Sequence, residues 1–333
     1  MSVRGMVLGK FMPPHLGHVH LVDFARAYCD EVAVVVEKVV DEPIPSELRL
    51  AWMQEMFPDC HLVHLVDLNP QEPAAHPRFW DIWRDSLRRA LPWPPDVVLA
   101  SEDYGPRLAE VLGARFVPVD RDRRALTVGD GPLSGTAVRA DPMGWFDALP
   151  RVVRPYFVKR VRIVGPESSG KSTLARALAR RFDTVWVPEY AETVIRLHDG
   201  RIDEADLVEF VRGQVADEQA LARSARRVLI CDTDAVTTLV WSRLLYGRVA
   251  PALAAAVEAA AARPYELTLL CLPDVPFAPD VHRVGPDTRA RTLDLLRDEL
   301  GARGVDAVEL SGDAAAREAR AAAAIAPLLG PGG

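Results

Sequence analysis

Two loops in this chain carry the residue types and the spacing that phosphate chemistry requires. In the first, GKFMPPHLGH at residues 9–18, Gly9 and Gly17 allow the backbone to approach a phosphate closely. His15 and His18 stand three residues apart and can share one face of a helix start, where amide donors and the helix dipole favour an anion. Two imidazoles in this position suit an α-phosphoryl group whose charge must be stabilised while pyrophosphate leaves. Taken alone, an H-x-x-H pattern is more often a zinc pair or two surface histidines.

The segment SGTAVR at residues 134–139 strengthens the phosphate interpretation. Ser134 and Thr136 can donate hydroxyl hydrogens, and Gly135 leaves the backbone accessible. Arg139 offers a planar fork of donors that matches a phosphate group. Taken alone, the segment is an ordinary helix-capping turn with an exposed arginine.

The second loop, GPESSGKS at residues 165–172, follows the strand-like run VKRVRIV and precedes the amphipathic run TLARALARRF. Strand, glycine-rich loop and helix in this order are the context in which a P-loop binds ATP. Lys171 would reach the β- and γ-phosphates, and Ser172 would bind Mg²⁺. The other ATP contacts predicted here are Gly165, Glu167, Ser168, Ser169, Gly170 and Thr173.

The run RRVLICDTD at residues 226–234 ends a predicted buried strand on two acids. Asp232 is suited to the outer shell of Mg²⁺, and Asp234 is placed to meet a substrate hydroxyl. Alternatively, Asp234 caps the helix that follows. The sequence does not decide how the two acids divide these duties.

Two further segments could complete a phosphoryl-transfer site. Glu189 and Tyr190 in VPEYAETV follow a strand-like run, which places them toward the edge of the sheet that carries the P-loop. They are candidates for holding the phosphate acceptor, and simple burial of Tyr190 is the alternative. In HRVGPDTRARTL, Arg283 and Arg289 could belong to a lid whose arginines neutralise the transferring phosphoryl group.

Apolar runs and helical periodicities alternate along the chain. In the first half, strands are predicted at 3–8, 31–37, 96–101 and 114–120, and helices at 15–29, 50–57 and 79–91. The valine-rich run at 31–37 is typical of a parallel strand covered on both faces. The predicted fold class is α/β, with a doubly wound parallel sheet in the first half and a P-loop α/β sheet in the second.

Length and charge narrow the class of protein. The 333 residues suffice for two domains, predicted at 1–150 and 151–333, with a packed connector at 147–160. A net charge of −7 argues against a nucleic-acid-binding protein, and no apolar run reaches the length of a membrane helix. The four cysteines lack metal-ligand spacing, so we expect a cytoplasmic protein with free thiols. The sequence is compatible with a homo-oligomer and does not fix the oligomeric state.

The motifs of the first half resemble those of the nucleotidyltransferase superfamily, in which an H-x-G-H loop and an S-x-T-x-x-R segment hold the triphosphate of ATP. The resemblance implies that His15 and His18 stabilise the transition state. It also implies catalysis by positioning and electrostatics, without a covalent enzyme intermediate. The implied ATP contacts are Gly9, Lys10, Phe11, Gly17, Ser134, Gly135, Thr136 and Arg139.

The whole chain resembles the NadR-type bifunctional enzymes, which couple nicotinamide mononucleotide (NMN) adenylyltransferase to ribosylnicotinamide kinase. The two loops carry this resemblance together with the ordered phrases IPSELRLAWMQEMF, SEDYG, VDRDR, SGTAVR, VPEYA and ICDTDAVTT. It implies that ATP, with Mg²⁺ as cofactor, phosphorylates nicotinamide riboside in the second domain, and that the first domain converts the resulting NMN to NAD. Arg49 and Trp52 match the family's region near the nicotinamide ring, where a tryptophan can stack on a cation. Core packing of Trp52 is the alternative.

Two departures from the family pattern bear on function. Some members carry an amino-terminal helix-turn-helix repressor domain, whereas here the first catalytic strand begins within the first ten residues, so DNA-binding regulation is not expected. The family commonly reads E-Y-A-R where this chain has Glu192 in place of the arginine, which bears on kinase strength or substrate range. Two other hypotheses stay open: a nucleotide sensor with one degenerate site, and an enzyme of the same two folds that acts on other acceptors.

Overall fold

A computed structural model of the chain describes residues 2–121, 127–128, 131–276 and 288–330. The chain divides into two compact units, Met1–Val153 and Arg154–Gly333. Each unit is built around a five-stranded sheet of its own. The predicted division after residue 150, and the activity given to each half, stay predictions at this point.

The first unit is an open parallel sheet with helices between its strands. Its elements are β1 (Arg4–Gly9), α1 (Leu16–Tyr28), β2 (Glu31–Glu37), α2 (Ser46–Met56), β3 (His61–Leu65), α3 (Phe79–Ala90), β4 (Val97–Ala100), α4 (Gly105–Leu112), β5 (Arg115–Pro118), the short pair β6 (Thr127–Val128) and β7 (Gly131–Pro132), and α5 (Gly135–Ala140). The strand order is β3-β2-β1-β4-β5, and all four ladders are parallel. Because the order reverses beside β1, the loop after β1 lies at the position where such sheets bind ligands.

Both faces of this sheet are covered. On one face, Val22 of α1 and Met53 of α2 pack against strand residues such as Val34. On the other face, Trp83 of α3 and Leu108 of α4 close a second core. Strand β2 is buried from its second residue to its last, as the valine run predicts for a strand covered on both faces.

The second unit is also an α/β sheet, with the P-loop strand at its centre. Its elements are α6 (Arg154–Phe157), β8 (Lys159–Val164), α7 (Lys171–Arg181), β9 (Trp186–Val187), α8 (Tyr190–Leu197), α9 (Asp206–Ala222), β10 (Val228–Asp232), α10 (Ala235–Tyr246), α11 (Pro251–Ala261), β11 (Leu267–Cys271), α12 (Thr288–Ala302), β12 (Ala307–Leu310) and α13 (Ala314–Ile325). The order β12-β11-β8-β10-β9 is parallel throughout. The loops after β8 and β10 therefore meet at one edge.

The predicted α/β class and its two parallel sheets are confirmed. Strands β3, β11 and β12 are not predicted from the sequence, and none of them has the long valine run that marks β2. Strand β3 also carries two histidines, which interrupt its apolar pattern. Across the described ranges, no helix has both the length and the apolar character to cross a membrane.

Helices α8 and α9 meet at a glycine. A Cβ atom added to Gly213 on α9 would lie 2.1 Å from the ring of Tyr190, at the start of α8. The Tyr190 ring also packs with the apolar cluster around Phe210 and Leu239. Glycine at this position is therefore what lets the aromatic ring lie flat against the helix.

Replacing Gly213 with alanine should destabilise the protein, because the Tyr190 ring must leave its place. We expect Gly213→Ala to lower the free energy of unfolding by about 1–3 kcal/mol. The matched control is Gly301→Ala on α12, where a Cβ would meet no atom within 4 Å. There alanine should add about 0.5–1 kcal/mol, since glycine weakens a helix. Urea denaturation followed by circular dichroism measures both, and shifts of the same sign would contradict this packing.

Candidate active sites

The first candidate site lies in the loop between β1 and α1. The Nδ1 atom of His15 accepts a hydrogen bond from the Gly17 N–H at 3.1 Å, and the Nδ1 atom of His18 accepts one from the His15 N–H at 3.3 Å. The two rings stack with their centroids 3.8 Å apart. Because Nδ1 is the acceptor in both rings, each neutral imidazole carries its proton on Nε2 and donates from there. Two imidazole donors beside the start of α1 suit an anionic ligand.

The segment SGTAVR joins this loop. Arg139 donates to the carbonyl of Met12, 127 residues away in sequence, and to Thr136 Oγ1 at 3.1 Å. A Cβ atom on Gly135 would lie 2.9 Å from the same carbonyl, so glycine is what lets α5 approach so closely. Ser134 caps α5 by accepting from the Ala137 N–H at 3.2 Å, as the capping alternative predicts. The structure thus brings the two predicted motifs of the first unit together.

The remaining predicted contacts of this loop have different surroundings. Phe11 is fully buried, and its ring meets the ring of His18 edge-on with centroids 5.0 Å apart. A Cβ atom on Gly9 would lie 3.1 Å from the Phe11 ring, and one on Gly17 would lie 3.0 Å from the ring of His15. Lys10 is exposed. Phe11 therefore orients His18, whereas Lys10 can extend toward a ligand.

Arg49, predicted near a nicotinamide ring, has its partners inside the protein, and the ring contact stays a prediction. The Arg49 side chain is wholly buried, donating to the carbonyls of Ile44 at 2.9 Å and Glu37 at 3.0 Å. It also donates to the carbonyl of Lys10 and forms an ion pair with Glu42. The guanidinium fork is therefore used to tie the ends of β1 and β2 to the start of α2.

Trp52, the other residue predicted near the ring, is 6% exposed on α2. Such burial is what the core-packing alternative predicts. A role in binding stays a prediction for this residue.

The second candidate site is built on the loop between β8 and α7. Gly165 approaches the Cys271 carbonyl so closely that a Cβ atom would lie 2.5 Å from it. Gly170 has φ +87, in the left-handed region that glycine adopts readily, and α7 begins at the next residue. Lys171 folds its Nζ back onto the carbonyls of Gly165 at 3.0 Å and Pro166 at 3.1 Å. This arrangement is that of a P-loop whose lysine lies against its own loop.

Asp232 at the end of β10 faces this loop. It is 1% exposed, and within the described ranges its Oδ1 atom has no hydrogen-bond partner. Burial raises the pKa of Asp232, while the charge of Lys171 and a hydrogen bond with Ser172 lower it. A buried carboxylate oxygen beside a serine hydroxyl fits Mg²⁺, which usually takes one or two carboxylates, phosphate oxygens and water. In the described part of the chain no three His, Cys, Asp or Glu side chains cluster as a metal site, in keeping with this sparse donor set.

Asp234 takes the capping role that was the alternative for it. Its Oδ1 atom accepts from the Thr237 N–H at 2.9 Å and from the Thr237 hydroxyl at 2.8 Å. Its Oδ2 atom forms a buried ion pair with Arg162. Both oxygens therefore have partners in the protein, and a contact of Asp234 with a substrate hydroxyl stays a prediction.

A cavity of about 980 Å³ opens from the P-loop. Ser168, Lys171 and Ser172 line it together with Glu189 and Asp234. The apolar side chains that line it lie mainly on α8, α9 and α10, and include Ile195, Leu207, Phe210, Trp241, Leu245 and Tyr246. The volume is that of an ordinary small-molecule site. Tyr190 packs against Gly213, as the burial alternative predicts, and its N–H donates to Gln214 Oε1 at 3.0 Å.

Glu189 is the titratable group of this cavity that stands out. Its pKa is raised to about 7, chiefly by burial and also by the charges of Asp232, Glu192 and Glu167, against the lowering effect of Lys171. By surface area the residue is only half-buried, so part of it can meet a ligand. A carboxyl group with a pKa near neutrality is suited to proton transfer.

Of the two arginines predicted for a lid, only Arg289 lies within the described residues. Arg283 lies outside the described residues. Arg289 donates to the carbonyls of Val275 at 3.1 Å and Ser168 at 3.2 Å, so its guanidinium braces the P-loop. Arg317 on α13 is not predicted from the sequence, yet it is 3% exposed and donates to the Ser169 carbonyl at 2.7 Å. Its one sequence signal is a charged side chain within an alanine-rich helix.

Comparison with known proteins finds relatives of both units. A family model described as an AAA domain matches residues 160–317. The trifunctional NAD biosynthesis/regulator protein NadR of Escherichia coli strain K12 is 28% identical over 274 residues, 76% of this chain and 66% of that protein. The chain thus spans just under two thirds of the length of that relative. The nicotinamide-nucleotide adenylyltransferase of Aeropyrum pernix is 28% identical over 166 residues, 46% of this chain and 89% of the relative.

Two solved structures of NadR proteins share the fold of this chain. A NadR protein in complex with NR matches with a TM-score of 0.80 at 22% identity, over 99% of this chain and 97% of that chain. A NadR protein in complex with NAD and AMP-PNP matches with a TM-score of 0.76 over the same shares. At this identity the structures establish the fold. The resemblance to NadR-type proteins predicted from the sequence is confirmed.

A substitution of Arg49 distinguishes a structural role for this residue from a contact with the nicotinamide ring. Arg49→Met removes the buried cation that pairs with Glu42, whose carboxylate keeps the N–H groups of Val39 and Ser46, and it takes a donor from three carbonyls. We therefore expect the free energy of unfolding to fall by about 3–5 kcal/mol. Arg26→Met is the matched control, since Arg26 pairs with Asp23 and Asp59 on the exposed surface and should contribute at most about 1 kcal/mol. Urea denaturation measures both. A stable Arg49→Met protein with a raised KM for NMN would instead support a contact between Arg49 and the nicotinamide ring.

Proposed function

We propose that this chain is an enzyme of NAD biosynthesis with two ATP-dependent sites. The second unit would transfer the γ-phosphoryl group of ATP to nicotinamide riboside, and the first would join the resulting NMN to the adenylyl group of ATP, releasing pyrophosphate. The observation that carries the proposal is the presence of two different phosphate loops, each at the carboxyl edge of its own sheet. The names of the relatives, and the complexes of NadR with NR and with NAD and AMP-PNP, support the choice of ligands.

In the first unit, the proposed reaction needs positive or hydrogen-bonding groups around the α-phosphorus. Nε2 of His15 and Nε2 of His18 would donate to the α-phosphoryl oxygens, where negative charge builds up as the NMN phosphate attacks. Arg139 and Thr136, which already lie beside the loop, would hold the outer phosphates that depart as pyrophosphate. No side chain needs to form a covalent bond, because the phosphate of NMN is itself the nucleophile.

In the second unit, the acceptor is an alcohol, which must lose a proton as it attacks. Glu189, with a pKa of about 7, is the base that we assign to this step. Lys171 would leave its own loop carbonyls and move to the β- and γ-phosphates. The apolar part of the cavity, with Phe210 and Trp241, would receive the flat ring of the riboside. Such a ring carries a positive charge, which the face of an aromatic side chain attracts.

Mg²⁺ would be held in this site by Ser172 and Asp232. When bound, the ion neutralises charge on the β- and γ-phosphate oxygens. The protein's own contribution is the buried Oδ1 atom of Asp232, which is fixed at the end of β10 and faces the P-loop.

Single substitutions should separate the two activities. Lys171→Ala removes the lysine of the P-loop, so we expect riboside phosphorylation to fall by about 10²–10³-fold while adenylylation of NMN is kept. His18→Ala should do the reverse by a similar factor, since one donor to the α-phosphoryl group is lost. Chromatography of NMN, NAD and ADP after incubation with Mg-ATP measures both reactions. Loss of both activities in either variant would contradict two separate sites.

The same assay decides between the proposed function and its alternatives. A nucleotide sensor would bind ATP in both units and give no product in one of them. An enzyme for other acceptors would turn over a different nucleoside or phosphate ester and leave nicotinamide riboside or NMN unchanged.

The pH dependence of riboside phosphorylation should report Glu189. A base must be ionised to accept a proton, so the rate should rise with pH and level off above a pKa of about 7. Glu189→Gln should abolish this acid limb and lower kcat by about 10²–10⁴-fold. Glu192→Gln should keep the limb but move it to lower pH, because the negative charge of Glu192 raises the pKa of Glu189. An unchanged pH profile in Glu189→Gln would remove this residue from the base role.

A further inference from the structure

A charged side chain is buried in the central strand of the second sheet. Arg162 on β8 is 5% exposed, although a strand covered on both faces is normally apolar. Its Nε donates to Thr268 Oγ1 on β11 at 2.8 Å, and its Cζ lies 5.0 Å from the ring centroid of Tyr265. Its Nη1 forms the ion pair with Asp234. A buried ion pair stabilises a fold little more than apolar packing does, so stability alone does not account for this arginine.

Asp234 connects Arg162 to the turn after β10. It caps α10 through Thr237, and it follows directly on Asp232 and Thr233. Thr233 has φ +78, a left-handed conformation that β-branched residues rarely adopt. Its N–H donates to the Ile163 carbonyl of β8 at 2.9 Å. A residue in so unfavourable a conformation keeps it only while its surroundings hold it.

The turn at residues 232–234 also sets the position of Asp232. Its carboxylate is 1% exposed beside Lys171 and Ser172, and its Oδ1 atom has no hydrogen-bond partner among the residues that the structure describes. We propose that Arg162 is a positioning residue of the phosphoryl-transfer site: through its ion pair with Asp234 it fixes the turn at residues 232–234 and so directs Asp232 at the P-loop. This inference rests on the kinase activity proposed for the second unit. It gives Asp234 a positioning role in place of a catalytic one.

Arg162→Met tests the proposal directly. We expect kcat for riboside phosphorylation to fall by on the order of 10²-fold, since a displacement of about 1 Å at a reacting group has that effect. KM for ATP should change little, because the P-loop is untouched. Arg162→Lys should lower kcat less than Arg162→Met does, because lysine keeps the charge that pairs with Asp234. It should still lower kcat, because lysine lacks the fork that reaches two partners. Arg160→Met is the matched control: Arg160 lies two residues earlier on β8 and faces Glu218 at 3.8 Å, and its kcat should be unchanged.

A double variant separates positioning from stability. Arg162→Met leaves Asp234 as an unpaired buried charge, whereas Arg162→Met with Asp234→Asn removes that charge and keeps the helix cap. We expect the double variant to regain stability to urea and to keep the low kcat of Arg162→Met. Recovery of kcat together with stability would overturn the proposal, as would a folded Arg162→Met protein with normal kcat.

The pH profile distinguishes the role of Asp234 from that of a base. A positioning role leaves the acid limb of the profile in place in Asp234→Asn, at lower kcat. Disappearance of that limb would make Asp234 the base and refute the inference. The wild-type protein reports on the proposed function separately: if it phosphorylates no nucleoside, the kinase assignment fails, whereas an active wild type with an equally active Arg162→Met contradicts the positioning role alone.

Discussion

A loop that grips phosphate through backbone N–H groups creates a second requirement on its other side. N–H and C=O point in opposite directions across a planar peptide, so amides turned toward a ligand turn carbonyls back into the protein, where each needs a donor. Buried arginines supply these donors. Arg317 donates to the Ser169 carbonyl of the P-loop, and Arg49 donates to the Lys10 carbonyl after β1. Each phosphate-binding edge thus depends on a guanidinium group behind it, which several carbonyls share because one fork has five N–H donors.

The contacts of the buried arginines are the part of the structure that the sequence does not predict. Strand, glycine-rich loop and helix are consecutive in the chain, so the P-loop and the β8–α7 unit could be predicted from local pattern alone. The partners of Arg162 lie 72 and 106 residues away, and Arg49 reaches a carbonyl 39 residues away. Contacts between residues so far apart in the chain produce no periodic pattern in the sequence. Asp234 shows the consequence: its ion pair with Arg162 could not be predicted from the motif that contains it.

Two carboxylates near Lys171 illustrate how one site can hold groups with different duties. Burial raises the pKa of both Asp232 and Glu189. Asp232, however, has a hydrogen bond with Ser172 that favours its ionised form, whereas at Glu189 only the charge of Lys171 opposes the effect of burial. The first is therefore suited to hold a cation and the second to exchange a proton. This division could not be read from the motifs, which name both residues without their surroundings.

The replacement of an arginine by Glu192 acts on the same two groups. Glu192 lies on α8 in the wall of the cavity, and its charge raises the pKa of both Glu189 and Asp232. Its ion pair with Arg196, at 3.4 Å, is largely exposed to solvent and compensates little of this charge. An arginine in its place would lower both pKa values instead. In the proposed kinase reaction, the charge of Glu192 would thus make Glu189 a stronger base, and it would reduce the ionised fraction of that base as the pH falls below about 7.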